Sequence, residues 1–402
     1  MQNKYKLAIV ASHPIQYQAP LFRALAEDPR LDVTVYYLWD FGVNKPGFDR
    51  ELGVDLKWDV PLLDGYTHVF LKNHSLMPGP SFFGQINPSV VRELKKNKFD
   101  AVIVHGYTSM TSWLVFLTRA YTGVKIILRG ETNLSGKSGF LKNVFKSLVL
   151  RSLFGTIQVF LYSYALNRDF YLHYGVPDKK LFFFPCAVDN NFFGSKFKEL
   201  KDKKLEIRRS LGIKAIEAST FIFVGKLMKR KRPFDILKAV ASLDNKIELN
   251  LLFVGDGEDK GALEEYVKEN DIKNIHFFGF KNQSELPDYY VASDVLVLSS
   301  EFDPSPKQLN EAMNFGLALI VSSGVGTAPD LVKESGSGLI YKTGDVDALA
   351  RCMEKFATDP ALLERIKANS LKTVEAWSFE KDVEGALRAL EWLEKNNERG
   401  IL

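Results

Sequence analysis

Two short stretches carry residue types that could do chemistry. In FVGKLMKRKRP, which follows an apolar run at 221, Lys226, Lys229, Arg230, Lys231 and Arg232 stand within seven positions, just after Gly225. Cations clustered at the end of a buried strand suit a diphosphate. They can neutralise charge on a departing pyrophosphate oxygen without a metal ion. The second stretch, EFDPSPKQLNEAMNFG at 301–316, sets Asp303 ahead of two prolines and Glu311 beyond seven intervening residues. Ser305 reads as a helix N-cap, Pro306 as the first helical position and Gly316 as the stop. The first backbone N–H groups of that helix, near Lys307 and Gln308, form an anion site. A phosphate-binding helix end flanked by two carboxylates fits a ligand with both phosphates and hydroxyls, such as a nucleotide sugar. Taken singly, the same features read as a solvated basic turn, an acid favouring the helix dipole and a solvated helix residue.

Other signals are weaker. Gly255 and Gly257 in VGDG suit a tight strand-to-helix turn but do not make a dinucleotide fingerprint. Gly279 and Phe280 end the run FFGF, where a backbone edge and an aromatic ring could hold a base. In the first half, His105 ends AVIVH, and Glu131 stands in LRGET, suited to acceptor binding or to holding its loop. His13, Gln16 and Tyr17 lie in SHPIQYQAP, after the first apolar run.

These residues need elements to position them. Apolar runs at 7–12, 33–39, 101–106, 125–131 and 181–187, then at 221–227, 249–257, 275–280, 295–300, 318–324 and 338–344, alternate with amphipathic helical patterns. Solid apolar strands alternating with helices predict parallel sheets covered on both faces, an α/β class. Such sheets bind ligands beyond the carboxyl ends of their strands, and the residues singled out above follow strands. The charged stretch 192–213 lacks a strand pattern and reads as a linker plus a short entry helix. The expected organisation is a domain over 1–192, a linker over 193–216, a second domain over 217–377 and a tail over 378–402, with the two domains facing a cleft.

Bulk properties exclude several classes. The 402 residues carry a formal charge of +4, too mild for a dedicated nucleic-acid binder. Cys186 and Cys352 build neither a disulfide framework nor a zinc cluster and fit a reducing cytoplasm. The start, MQNKYKLAIVAS, reads as a buried strand rather than a signal peptide. The most apolar stretch, 147–163, is interrupted by Arg151 and polar residues, so no membrane span is expected. The segment 135–155 sets Lys137, Lys142, Lys146 and Arg151 beside Phe140, Leu141, Phe145, Leu148 and Leu150. It reads either as a helix packed on the sheet or as one that lies on an anionic membrane.

The ordered set GKLMKRK, VGDG, IHFFGF, SDVLVLSSEFDPSPKQLNEAMNFGLALIVSSGVGTAPDLV and SGLIYKTGDVDAL resembles the C-terminal half of family-four retaining glycosyltransferases of GT-B fold. The resemblance covers most of 217–378; DAVIVHGY, CAVDNNFF and the tail around AWSFEKDVEGALRALEWLEK extend it more loosely. It implies two Rossmann-like domains, with a C-terminal helix crossing back to the first. It also implies hexosyl transfer, with retention, from a nucleotide diphosphate sugar to a saccharide or lipid-linked saccharide. No metal or other cofactor is implied, nor a nucleic-acid partner. The setting implied is cytoplasmic, with contact at the inner membrane surface, in surface polysaccharide or lipopolysaccharide synthesis. By resemblance Glu311 binds the ribose, Asp303 lies at the donor sugar, and Lys226 and Lys231 hold the diphosphate. Gly225, Ser305, Pro306, Lys307 and Gln308 complete the phosphate side, and Phe280 borders the base. His105 orients the sugar or a phosphate. Apart from the resemblance, His13, Gln16 and Tyr17 are expected to project into the cleft and shape the acceptor side, and Glu131 to bind the acceptor or hold its loop. The chain departs from the family in having Asp rather than Glu at 303, two lysines rather than Arg and Lys, and no glycine in the loop after the first strand. A sugar-nucleotide epimerase and a non-catalytic nucleotide-sugar-binding subunit are the rival readings.

Overall fold

The computed structural model describes residues 4–43, 47–49, 54–56, 58–135, 140–244 and 247–398, with side chains outside 47–49, 54–56, 140–143 and 398. The chain forms two compact units. Unit 1 takes residues 1–47, 61–187 and 378–402, and unit 2 takes 48–60 and 188–377.

The strands before residue 188 are β1 (Tyr5–Ala11), β2 (Leu31–Tyr37), the short pair β3 (Gly47–Asp49) and β4 (Val54–Leu56), β5 (Thr67–Phe70), β6 (Ala101–His105), β7 (Lys125–Arg129), β8 (Val159–Tyr162) and β9 (Leu181–Phe183). Unit 1 orders seven of them as β5-β2-β1-β6-β7-β8-β9, every described pairing parallel. Side chains alternate between two cores. Ala8, Val10, Val102 and Val104 meet the helices between residues 89 and 173 on one face. Leu7, Ile9, Ile103 and Ile127 meet helices Ala19–Glu27 and Phe379–Glu398 on the other.

Close contacts fix the C-terminal helix within unit 1. Asp382, fully buried, accepts hydrogen bonds from the backbone N–H of Cys186 (2.7 Å) and Ala187 (3.0 Å). Gly385 lies so close to β9 that a Cβ there would stand 2.0 Å from the Phe183 carbonyl oxygen.

Unit 2 holds β10 (Ser219–Val224), β11 (Leu249–Val254), β12 (Ile275–Phe277), β13 (Val295–Leu298), β14 (Ala318–Ser322) and β15 (Gly338–Tyr341). Their order is β12-β11-β10-β13-β14-β15, again parallel. The central strands are buried along their whole length, as their unbroken apolar runs require.

Two boundaries differ from the sequence reading. The stretch 193–216, read as a linker, is mostly helical, with helices Asn190–Leu200 and Lys204–Ser210, and belongs to unit 2. Its charges are anchored there. Asp294 accepts from Lys204 (2.5 Å) and Arg208 (2.8 Å), and the buried Arg208 also donates to the carbonyls of Ala292 and Ile216. Residues 48–60, assigned to the first domain, group with unit 2, where Asp59 accepts from the Ser284 backbone N–H at 3.1 Å and from its hydroxyl. The segment 147–163 divides into the end of helix Phe140–Thr156 and β8. Lys137 lies outside the described residues.

Candidate active site

In an open parallel sheet, ligands bind where the strand order reverses direction. In unit 2 that point lies between β10 and β13, and both chemical stretches start there. Beyond the strands the backbone continues the ladder through glycines. Gly225 N–H donates to the Val254 carbonyl (2.9 Å), Leu227 N–H to Asp256 (2.8 Å) and Gly255 N–H to Gly279 (2.8 Å). A Cβ on Gly255 would stand 1.9 Å from the Gly225 oxygen, and its φ of +144° is a glycine conformation.

The basic stretch then turns through a 3₁₀ segment, Lys229–Lys231. The Ser299 hydroxyl, just past β13, donates to the carbonyls of Lys231 (2.8 Å) and Arg232 (2.9 Å), and Glu301 N–H to that of Arg230 (2.8 Å). These bonds lock the basic turn against the acidic loop. Lys231 is ion-paired with Asp303, both side chains about one-tenth exposed. Arg232 bonds Asp235 instead, at the start of the next helix. Asp303 is itself clamped by its backbone: its N–H donates to the Gly324 carbonyl (3.0 Å), and its carbonyl accepts from Gly326 N–H (2.8 Å).

The helix after this loop runs Lys307–Asn314, one residue later than the sequence reading. Pro306, not Ser305, is the N-cap, and no side chain caps the helix. Ser305 instead accepts a hydrogen bond from Lys307 Nζ (3.1 Å). Gln308 reaches back toward β10; its Nε2 lies 3.9 Å from where a Cβ on Gly225 would stand. Glu311 is fully buried, which excludes the reading of it as a solvated helix residue. Its carboxylate accepts from the Tyr290 hydroxyl at 2.5 Å, and Tyr290 stacks on Phe315. Phe280 is half-buried after β12. The structure therefore brings Lys231 to Asp303 and Gln308 to Gly225 at one sheet reversal, with Lys226 next to Gly225 in the chain and Lys307 and Glu311 on the same helix as Gln308. Tyr290 escaped the sequence reading because nothing local marks a tyrosine 21 residues upstream as the partner of Glu311.

Unit 1 repeats the pattern, its order reversing between β1 and β6. A pocket of about 180 Å³ opens there, lined among others by Ser12, His13, Gln85, His105, Thr108 and Ser109. His105 ends β6, and its Nδ1 is buried without a hydrogen-bond partner among the described residues. Burial first, then the nearby Arg129 guanidinium, hold this imidazole well below its ordinary pKa, with Glu131 opposing. The ring is therefore neutral near pH 7. Burial pushes His13 down to about 4; its Nδ1 lies 3.0 Å from the Ser12 hydroxyl, and its ring meets the edges of Trp39 and Phe41. Gln16 and Tyr17 do not line the pocket; Gln16 is buried and Tyr17 half-buried. Glu131 is ion-paired to Arg129 at 2.8 Å, and its carbonyl accepts from the Tyr164 hydroxyl, so its loop is held from both ends. Among the described residues no cluster of His, Cys, Asp and Glu could hold a metal ion.

A depressed histidine pKa has a stability consequence. Above pH 6.5 both the folded and unfolded forms of His13 are neutral, and as pH falls toward about 4 only the unfolded chain takes up the proton. Stability present above pH 6.5 is thus lost over that window, by up to about 3 kcal/mol from His13. Urea midpoints measured across it check this; a His13→Gln variant is expected to flatten the profile.

The profile of the family described as Glycosyl transferases group 1 matches residues 204–373. The chain carries a group 1 glycosyltransferase domain. An Escherichia coli UDP-Gal:alpha-D-GlcNAc-diphosphoundecaprenol alpha-1,3-galactosyltransferase is 27% identical over 310 residues, 74% of this chain and 76% of that one. A Campylobacter jejuni alpha-1,4-N-acetyl-D-galactosaminyltransferase, named for an undecaprenol-linked acceptor, is 34% identical over 152 residues, 37% of this chain and 41% of its own length. Among solved structures, a glycosyltransferase from Rickettsia africae superposes with a TM-score of 0.73 at 15% identity, over 98% of this chain and 100% of the other. An Anabaena protein solved with UDP gives 0.71 at 15% identity, over 96% and 99%. The fold is GT-B. The basic turn, acidic loop and buried Glu311 all lie inside the glycosyltransferase domain, and His13 and His105 lie outside it.

Proposed function

We propose that the chain transfers a hexosyl group, with retention, from a nucleoside diphosphate sugar to a hydroxyl of a lipid-linked or lipopolysaccharide saccharide during bacterial surface polysaccharide synthesis. The observation that carries this reading is the pairing of Lys231 with Asp303 at the sheet reversal where helix Lys307–Asn314 starts without a side-chain cap, with Glu311 buried on that helix. Lys226, Lys231 and the first helical N–H groups take the diphosphate, and Gly225 keeps that approach clear of a side chain. Glu311, oriented by Tyr290, takes the ribose hydroxyls; Phe280 borders the base; Asp303 reads the donor sugar while holding Lys231. Catalysis is positioning and stabilisation of leaving-group charge, with no metal required. As the bond from the anomeric carbon to the diphosphate breaks, the departing phosphate oxygen takes the acceptor proton. The acceptor oxygen bonds to the same face of that carbon. The neutral His105 orients a sugar hydroxyl, and His13, Gln16, Tyr17 and Glu131 shape the acceptor side. The enzyme works at the cytoplasmic face of the membrane.

The names of the Escherichia coli relative and the Anabaena structure support UDP as the carrier. A thermal-shift panel of UDP, GDP, ADP, dTDP and their sugar conjugates, with and without EDTA, tests the donor site. UDP or a UDP-sugar is expected to raise Tm equally in both conditions, by mass action. No shift from any nucleotide overturns the reading in favour of a non-catalytic subunit, and a shift that EDTA abolishes overturns its metal-free form. Product analysis separates a new glycoside from the new epimer that an epimerase would make.

A further inference from the structure

Helices Ser89–Asn97, Met110–Thr122, Phe140–Thr156 and Ala165–His173 all pack on one face of the unit 1 sheet. They carry eight Lys and Arg against two Asp and Glu, a net charge of +6 where the whole chain carries +4. The two helices on the opposite face, Ala19–Glu27 and Phe379–Glu398, carry four basic against seven acidic residues, a net −3. The charge of this unit is thus one-sided.

The basic face is also apolar where a water-facing surface has no need to be. Leu150, Leu153 and Phe154 of helix Phe140–Thr156 enter the core, but Phe145 is 70% exposed and Leu148 65%. On the neighbouring helix Leu117 and Tyr121 are exposed as well. The helices are tied in two pairs along this face. Lys95 donates to the Tyr121 carbonyl (2.7 Å) and lies over its ring, Lys146 lies over Phe170, and Arg151 donates to the His173 carbonyl (3.0 Å).

We propose that this outer helical face is where the protein lies on an anionic lipid bilayer, with Leu117, Tyr121, Phe145 and Leu148 entering the headgroup boundary and the lysines and arginines meeting lipid phosphates. Apolar and aromatic side chains interleaved with long cations fit that boundary, where the stems of Lys and Arg cover apolar surface and their charges reach the headgroups. The surface rests on the reading that the acceptor is lipid-linked, for it would bring the enzyme to a substrate confined to a membrane.

Vesicle flotation of the full chain tests it. Vesicles containing phosphatidylglycerol are expected to retain the protein at low salt. Pure phosphatidylcholine, high salt and the double variant Phe145→Glu/Leu148→Glu are each expected to weaken retention at least about tenfold. Both substituted side chains are exposed, so Tm is expected to hold. A double variant retained as strongly as the native chain, or a native chain that ignores both vesicle types, overturns the proposal. A dimer in light scattering that the double variant dissociates would assign the face to a second copy instead. Nucleotide-induced stabilisation read on the same samples reports the donor site separately, so a native chain that binds neither vesicle type while that stabilisation persists overturns the surface alone.

Discussion

Replacing Lys231 with alanine is expected to lower kcat for sugar transfer by about 10²- to 10³-fold, the range seen when one preorganised donor to developing oxyanion charge is removed. The expectation rests on how firmly this one ammonium is placed. Its backbone is tied to Ser299 and its side chain to Asp303, whose own backbone is clamped by Gly324 and Gly326. A cation held in this way needs little reorganisation when charge develops on the diphosphate. Alanine also strips a mostly buried carboxylate of its ion pair, so assays belong well below the variant's own Tm. Arginine at 231 keeps the charge but changes its geometry, and partial activity is expected. Glu311→Gln is expected to fail equally in transfer while Tyr290 keeps an oxygen to donate to. Full activity in either Lys231→Ala or Glu311→Gln would sink the assignment of the site.

The largest effect on stability is expected at Asp382. Its carboxylate satisfies the two N–H groups where the chain leaves β9, and alanine would leave both buried donors without it. A cost of about 3–6 kcal/mol follows, since each of the two bonds to a charged acceptor contributes about 1.5–3 kcal/mol. Asp382→Asn keeps one acceptor oxygen, and an intermediate loss is expected. Urea denaturation gives the magnitude, and hydrogen exchange at the Cys186 and Ala187 amides locates it. An alanine variant as stable as the native chain would show that the tail helix is held by its apolar contacts alone.

The proposed donor side was legible in the sequence because its signals are local. Each strand there is a solid apolar run, and the candidate residues follow within a few positions. What stayed hidden depends on partners far along the chain. Lys204 and Arg208 look like linker charges until they meet Asp294, 90 and 86 residues away. The pairing of Lys231 with Asp303, 72 residues apart, turns two separate motifs into one device. β8 escaped because only Gly155, Thr156, Ile157 and Gln158 separate its apolar residues from those of the preceding helix, a boundary that periodicity alone does not place. The histidine pocket was half seen. His13 and His105 were singled out, while its serine, threonine and glutamine lining resembles any polar loop.

The return of the C-terminal helix to unit 1 sets an order on biosynthesis. Ala386, Leu387, Ala389, Leu390 and Leu393 cover one face of a sheet whose last strand ends at Phe183. Residues 188–377 are made in between. At a ribosomal pace of about 5–20 residues per second, the part of that face beyond helix Ala19–Glu27 stays uncovered for about 10–40 s. The nascent first half therefore leaves the ribosome with an apolar surface that its own sequence covers only once residues beyond 377 have been made, and in that interval it is a natural client for a holding chaperone.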